Sequence, residues 1–277
     1  MSSPFPLLRL PRVVLFEVFK SLNIREKIRL SHCSRKISIQ INSARLYSQK
    51  VIVVLDCLKR KIRVRSENDK DAYAIFISIK NRKGFSSFIQ HILKMFPCKI
   101  STRKICYHSD LFQPVISELL DQQVKFKALT ILLTQNLLFE QISNDFGLVE
   151  NLRIISVANP GFRPVFSSWP QKISIKSSYW FTLESLLACT CTSITLEESR
   201  LENEDLDEVL KNWKAGGFPN LKYLNVHSLR STNDGEHILG MNLRELDGMT
   251  IQNDDGSKNA TIQLSSHCIE MSVTPFQ

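Results

Sequence analysis

The chain opens with three segments in which apolar residues recur at helical spacing. In residues 10–22, LPRVVLFEVFKSL, five apolar side chains fall on one side of a helix. The second segment, NIREKIRLSHC, begins with Asn23 and has Glu26 three residues later, which is the spacing of a capping box. The third, SRKISIQINS, has two isoleucines four residues apart. The pattern predicts three short helices that end near Tyr47.

Beyond residue 50 apolar residues alternate with polar ones, which is the period of a β-strand. From residue 129 the predicted strands start at steps of roughly 20 to 28 residues, the range of leucine-rich-repeat-like stacks. We predict strands at VIVVLDCL (51–58), YAIFISIK (73–80), KICY (104–107), LTILL (129–133), LRIISVAN (152–159), KISIKS (172–177), SITLEE (193–198), LKYLNVHS (221–228), LRELDGMT (243–250) and TIQLSS (261–266).

Helix-like segments separate these strands. The best marked is EDLDEVLKNWKAGG, in which Leu206, Val209, Leu210 and Trp213 share a face and acidic residues occupy the start. The other helix-like segments are FSSFIQHILKMF, PVISELLDQQ, LLFEQISNDFG and LESLLAC.

The alternation of strands and helices predicts an α/β fold. A repeat of one strand and one helix cannot bury both of its faces alone, so neighbouring repeats must stack. We expect a small N-terminal three-helix module over residues 3–47, followed by an irregular leucine-rich-repeat-like α/β solenoid over residues 48–277. The repeats lack the Asn of standard leucine-rich repeats, and an open α/β sheet is the alternative.

Charge divides the chain in two. The 277 residues are 43% apolar and 23% charged, an ordinary globular composition. Residues 1–65 hold 15 Lys and Arg against three acidic residues, a net charge of +12, whereas the remainder has a net charge of −3. The run KRKIRVR (59–65) fits a phosphate contact or a nuclear import patch. Its alternation favours an exposed edge strand, and it lacks interleaved aromatic residues, so nucleic-acid binding is disfavoured.

The sequence shows no pattern typical of catalysis. No glycine-rich phosphate loop is present, and the six histidines form no i, i+4 pair. The close cysteine pair at 189 and 191 has no histidine nearby, which favours buried cysteines over zinc ligands. We therefore expect no enzyme activity, no catalytic residue, no cofactor and no metal.

The cysteines and the first apolar run indicate the compartment. Seven cysteines without a framework spacing are typical of reduced thiols in the cytoplasm or nucleus. Arg9, Arg12 and Glu17 interrupt the first apolar run, so we expect no signal peptide. No run approaches 18 consecutive apolar residues, so we expect no membrane span.

Two segments resemble a known family. Residues 4–41, PFPLLRLPRVVLFEVFKSLNIREKIRLSHCSRKISIQI, resemble an F-box through the Leu10-Pro11 pair and the apolar spacing that follows it. Residues 186–226 resemble the F-box-associated type-2 domain of an expanded nematode family of F-box proteins, through Leu210, Lys211 and Trp213 and a Leu-x-x-Leu strand. We expect that domain to span about 165–230.

The resemblance implies a substrate-recognition subunit of an SCF-type, cullin–RING ubiquitin ligase. The F-box would dock on a Skp-type linker protein, and the remaining chain would bind an unknown target protein. Trp169, Tyr179, Trp180 and Phe181 are either target contacts or core. The predicted linker-binding residues are Leu10, Pro11, Val14, Leu15, Val18, Phe19, Leu22, Ile28, Leu30 and Cys33.

Two other functions stay open at this point. A protein-binding scaffold would keep the target-binding region and lack the linker surface. A basic nucleic-acid-binding protein would bind through residues 59–65, with an affinity that falls steeply as salt rises.

The resemblance generates a first prediction. The double variant Leu10→Ala/Pro11→Ala should abolish co-purification with a Skp-type linker while the remaining chain stays folded, because both residues start the apolar helix. Linker retained at the wild-type level would contradict this assignment.

Overall fold

The chain divides into two compact units, and the division lies between Val115 and Ile116. Each unit is described by itself. The structure, a computed structural model, describes residues 7–44, 51–56, 61–66, 72–76, 82–96, 98–103, 113–133, 136–157, 164–230, 237–265 and 267–275.

The first unit begins with a small helical module. Asn23 caps the second helix, since its Oδ1 accepts the N–H of Glu26 and the Glu26 carboxylate accepts the N–H of Asn23, each at 2.9 Å. The three predicted helices are confirmed, whereas their predicted end near Tyr47 lies outside the described residues. The elements are a 3-10 helix (Leu7–Arg9), α1 (Arg12–Ser21), α2 (Ile24–Cys33) and α3 (Arg35–Ser43).

The helical module has a core of its own. Leu15 and Phe19 of α1 pack with Ile41 and Ala44 at the end of α3, and all four are buried. Six further apolar side chains are only half-buried against this core: Leu7, Leu10, Phe16, Leu22, Leu30 and Ile37. A core of four buried side chains is small, because so short a segment cannot enclose much apolar surface by itself.

A four-stranded sheet forms the rest of the first unit, in the order β4-β1-β2-β3. β2 pairs with β1 and β3 in antiparallel fashion, and β1 pairs with β4 in parallel. The elements are β1 (Val51–Asp56), β2 (Lys61–Ser66), β3 (Ala72–Phe76), α4 (Arg82–Met95) and β4 (Cys98–Arg103).

The prediction of an edge strand over residues 59–65 was wrong. β2 lies between two partners, and Ile62 and Val64 on its apolar face are fully buried. Alternation identifies a half-buried strand but does not show whether one or both of its edges are paired. Residues 59 and 60 and the predicted strand KICY (104–107) lie outside the described residues.

The second unit contains one sheet in the order β5-β6-β7-β8-β9-β14-β13-β12. The first five strands are parallel and follow chain order, whereas the last three pair in antiparallel fashion. The elements are α5 (Gln113–Asp121, which contains the boundary), β5 (Phe126–Leu133), α6 (Asn136–Ile142), a 3-10 helix (Ser143–Leu148), β6 (Asn151–Val157), β7 (Lys172–Ile175), α7 (Leu183–Leu187), β8 (Ser193–Ser199), α8 (Asn203–Lys214), β9 (Tyr223–Ser228), β10 (His237–Ile238), β11 (Met241–Asn242), α9 (Leu243–Leu246), β12 (Thr250–Gln252), β13 (Lys258–Ser265) and β14 (Cys268–Pro275).

The register of this sheet aligns buried side chains in rows across the strands. Helix α8 covers the face of the sheet that carries these buried rows, since its Leu206 meets Val226 and Ile269 around a small cavity. Each residue of the first row pairs with the next and is at most 2% exposed: Leu129, Leu152, Ile173, Ile194, Leu224, Met271 and Ile262. A second apolar row lies two residues further along: Ile131, Ile154, Ile175, Leu196, Val226 and Ile269.

Parts of the predicted solenoid differ from the structure. The expected strand LRELDGMT (243–250) begins instead as helix α9, because Asn242 and Glu245 form a capping box with hydrogen bonds of 3.0 and 3.1 Å. The strand starts only at Thr250, after the left-handed Gly248. The mixed α/β class is confirmed, whereas the leucine-rich-repeat-like stacking stays a prediction for the parallel strands.

The rows generate a stability prediction. Replacing the fully buried Ile194 with Ala should lower the free energy of unfolding by about 2–5 kcal/mol, through lost burial and a residual cavity. The neighbouring Thr195→Ala, on the other face of β8, should change it by only about 0.5 kcal/mol. All three tryptophans lie in the second unit, so urea unfolding followed by tryptophan fluorescence reports on it. Equal losses in both variants would contradict the assignment of faces.

Candidate functional site

Exposed apolar side chains concentrate on the helical module. Among the described residues, seven large hydrophobic side chains are exposed, and four of them belong to residues 7–44. The other three are Val165, Leu229 and Met249. Concentrated apolar exposure marks an interaction surface more often than isolated exposed residues do. The four in the module are Leu8 (42% exposed), Val13 (75%), Val14 (46%) and Ile39 (54%).

Helix α1 separates its inward and outward side chains by position. Leu15 and Phe19, four residues apart, are directed into the core of the module. Pro11, Val14 and Val18 follow one another at helical spacing along the adjacent flank, where Pro11 and Val14 are exposed and Val18 is half-buried. The flank is therefore apolar and accessible along the length of α1. We call Leu8, Pro11, Val13, Val14 and Val18 the α1 surface.

The ten predicted linker-binding residues fall into three groups. Leu15, Phe19 and Ile28 are buried within the chain and support its fold. Leu10, Val18, Leu22 and Leu30 are half-buried, and Pro11, Val14 and Cys33 are exposed. The thiol of Cys33 donates to the carbonyl of Arg29 at 3.4 Å, so it is already hydrogen-bonded within α2.

Ile28 lies on a face of α2 that packs within the first unit. Ile24, Lys27, Ile28 and Ser31 are all buried and recur at helical spacing, and α2 lies against β2 and β3. This face thus holds the module against the sheet that follows it. Ile28 is fully buried there, which leaves it no surface for a second protein.

Ser31 connects α2 to α4 through His91. The Ser31 hydroxyl donates to the carbonyl of Ile28 at 2.7 Å, and its oxygen lies 2.8 Å from Nε2 of His91. With the hydroxyl proton directed to Ile28, Nε2 of His91 is the donor of that second hydrogen bond. His32 stacks on His91 and on Phe88, with ring centroids 4.7 and 5.7 Å apart.

This packing favours the uncharged forms of two basic groups. Burial lowers the pKa of His91, and the nearby positive charges of His32 and Lys94 lower it further. Burial also lowers the pKa of Lys27, and the carboxylate of Glu26 partly opposes that shift. Both pKa values move in the direction expected of cationic groups withdrawn from water.

Sequence reasoning missed three exposed apolar residues of the module. Leu8, Val13 and Ile39 lie off the stripe that periodicity selects, because that stripe identifies the side facing the core. The sequence signal that could have found them is an apolar residue at a position where an amphipathic helix normally places a polar side chain. Val13 is next to Arg12 and fits that description.

Two of the four aromatic residues considered as target contacts are buried, and the other two are half-buried. Trp180 and Phe181 are buried, and their rings meet edge to face at 5.9 Å. Phe166 stacks on the half-buried Trp169 at 4.3 Å. Tyr179 is half-buried beneath the guanidinium of Arg200, 5.5 Å from its ring centre. Ring contacts with Phe166 thus join Trp169, Trp180 and Phe181 in one structural cluster.

The prediction that Cys189 and Cys191 are buried is confirmed. The thiol of Cys191 donates to the carbonyl of Pro170 at 3.0 Å. A hydrogen bond with the neighbouring Cys189, together with burial, raises the pKa of Cys191, which favours the thiol. Across the described residues, no cluster of three or more His, Cys, Asp or Glu is arranged to hold a metal ion. Helices in that part of the chain are too short or too polar to cross a membrane.

Comparison with protein families identifies two domains. The family model of the F-box domain matches residues 7–49. The family model described as F-box associated matches residues 162–226, within the second unit. Both are protein-binding modules rather than catalytic domains. Neither the curated proteins nor the solved structures provided a match.

The setting of His91 generates a pH prediction. An unfolded histidine titrates near 6.5, and the pKa of His91 lies below that in the fold. As the pH falls, the unfolded chain is therefore protonated at His91 before the folded chain is. The free energy of unfolding decreases as the pH falls from about 6.5 through the pKa of His91 in the fold.

Urea unfolding at pH 7.5 and 5.5 measures this effect. His91→Gln keeps a hydrogen-bond donor for Ser31 and should show a smaller loss of stability on acidification than the wild type. His267→Gln, at an exposed position of the second unit, is the control. An equal loss in all three proteins would contradict the role of His91.

Proposed function

We propose that this protein is a substrate-recognition subunit of an SCF-type, cullin–RING ubiquitin ligase. Its F-box domain docks on a Skp-type linker, and its second unit binds the target protein. The order of the two matched domains along the chain supports this assignment. The chain then belongs with the nematode family that it resembles, and it acts in the cytoplasm or nucleus.

The observation that carries the proposal is the exposure of the α1 surface. An isolated module gains nothing by presenting Val13 and Val14 to water, since burying a Val side chain is favourable by roughly 1.5–3 kcal/mol. A partner that covers several such side chains recovers this free energy, even after the cost of association. The half-buried Leu10 and Leu22 would extend the covered area.

The linker-binding residues then divide by role. The α1 surface contacts the linker directly. Leu15 and Phe19 hold α1 in place from the core side, so truncating them would disturb linker binding through the fold. Ile28 lies on the buried face of α2, a helix that lies against β2 and β3, so it would affect linker binding only through the fold.

The second unit supplies the target-binding part. The F-box-associated match covers β7, α7, β8, α8 and most of β9. We propose that the parallel strands β5 to β9 stack in leucine-rich-repeat-like fashion, since each strand follows the previous one in chain order. The protein would contribute proximity between target and ligase, which raises effective concentration, while other subunits perform the chemistry.

The α1 surface generates the decisive prediction. Val13→Glu/Val14→Glu should abolish co-elution with a co-expressed Skp-type linker in size-exclusion chromatography, because two carboxylates would face an apolar contact. Val165→Glu/Leu229→Glu is the matched control, because Val165 and Leu229 are 77% and 62% exposed and lie in the other unit. Circular dichroism should show that both variants keep the wild-type fold.

Two outcomes would overturn the assignment. Co-elution of the double variant at the wild-type level would show that the α1 surface does not contact the linker. Failure of the wild type itself to bind the linker would favour a scaffold without ligase recruitment.

A further inference from the structure

The sheet of the second unit has a polar face opposite its apolar rows. The middle row of this face pairs residue by residue across seven strands. Along each parallel strand, its residue lies between the residues of the two apolar rows and points to the other side of the sheet. All seven side chains are polar and partly or fully exposed: Thr130, Arg153, Ser174, Thr195, Asn225, Glu270 and Gln263. We call the side of the sheet that holds this row the polar face.

Three cations cluster at one end of the polar face. Arg153 on β6 pairs with Ser174 on β7, and Lys172 and Lys176 flank Ser174 on either side. The N–H of Lys176 donates to the carbonyl of Ile154 at 2.8 Å, so Lys176 continues the ladder just beyond β7. Diagonal neighbours in a sheet lie about 7–8 Å apart, within reach of long side chains. We call Arg153, Lys172 and Lys176 the basic triangle.

The basic triangle stands out from its surroundings. The second unit holds 13 Lys and Arg against 20 Asp and Glu, so it is acidic in total. The three cations are nevertheless adjacent and exposed, and none forms a salt bridge with another described residue. Like charges held together without a partner repel one another, so this arrangement favours an anionic ligand.

The other end of the polar face is internally hydrogen-bonded. The amide of Asn225 donates to the hydroxyl of Tyr223 at 3.3 Å, and the thiol of Cys268 contacts the Asn225 oxygen at 3.7 Å. Burial and the nearby Glu270 help to raise the pKa of Tyr223, which keeps its hydroxyl protonated. The polar groups at this end already have partners, whereas the cations of the basic triangle are available.

We propose that the polar face binds an extended acidic segment of the target protein, with Asp or Glu side chains held by the basic triangle. This inference rests on the proposed function, because it names the class of target segment that the second unit binds. Carboxylates form charge-assisted hydrogen bonds with Arg and Lys, and Ser174 and Thr195 offer neutral hydrogen bonds beside them. The middle row of this face contains no apolar side chain, which favours a polar segment over a hydrophobic one there.

The width of the sheet sets the length of the segment. Seven strands about 4.8 Å apart span about 30 Å, which an extended chain crosses with about nine residues. The basic triangle lies toward one end of this path, on the second and third strands. The acidic residues should therefore cluster toward one end of the segment.

A random peptide library tests the inference with the full chain. Twelve-residue peptides displayed on phage are selected on the immobilised protein, and retained sequences are compared with the starting library. Retained peptides should be enriched in adjacent Asp and Glu. The affinity of one labelled acidic peptide, measured by fluorescence anisotropy, should fall at least tenfold in Arg153→Ser/Lys172→Ser/Lys176→Ser.

A matched triple variant controls for the change of net charge. Lys125→Ser/Lys222→Ser/Arg244→Ser also removes three exposed cations of the second unit and should change the affinity less than twofold. Melting curves should show that both triple variants stay folded. The wild-type affinity should also weaken as salt rises.

Each outcome is informative. No enrichment of acidic residues, or equal losses in the two triple variants, would overturn the acidic-segment proposal. Binding of a synthetic phosphoserine peptide in the anisotropy assay, without binding of the matching Asp or Glu peptide, would also overturn it. Linker co-elution is measured on the same variants. Its failure in the wild type, with acidic-peptide binding intact, would overturn the proposed ligase function and leave the polar face as a peptide-binding surface.

Discussion

Strand register is the constraint on which the second unit depends. Because side chains alternate between the two faces of a strand, a shared register places Leu129, Leu152, Ile173, Ile194 and Leu224 in one continuous buried row. The same register aligns the polar residues between the apolar rows on the other face. The pairing register of the strands therefore determines both the core and the candidate binding surface. A shift of register would change both faces of the sheet together.

The helical module is too small to bury all of its apolar residues. Leu15 and Phe19 on one side of α1 lie in the core of the module. Ile24 and Ile28 on one side of α2 are also buried, and α2 lies against β2 and β3 of the first unit. The side with Val14 remains uncovered. The apolar surface offered to a partner thus belongs to a module whose other helix sides are packed within the first unit.

The sequence predicted what depends on local pattern. The capping pair Asn23 and Glu26 and the apolar face of α8 that ends at Trp213 were visible as spacing, and the structure confirms both. The sequence did not show which strands and helices pair or pack with one another. Nothing local shows that β2 is paired on both edges, that Ile28 is fully buried, or that Arg153 pairs with Ser174 between Lys172 and Lys176, because these relations join residues far apart in the chain.

The aligned rows also have an evolutionary consequence. Deleting or inserting one residue inside β6 to β9, where no β-bulge absorbs the change, would exchange the faces of the side chains that follow in that strand and expose part of the apolar rows to water. Length differences among related chains should therefore accumulate only between strands, as in the long connection from Ser199 to Tyr223 that contains α8. Divergence among related chains would then alter the surface through substitution at outward positions such as Thr195, while the spacing within each strand stays constant.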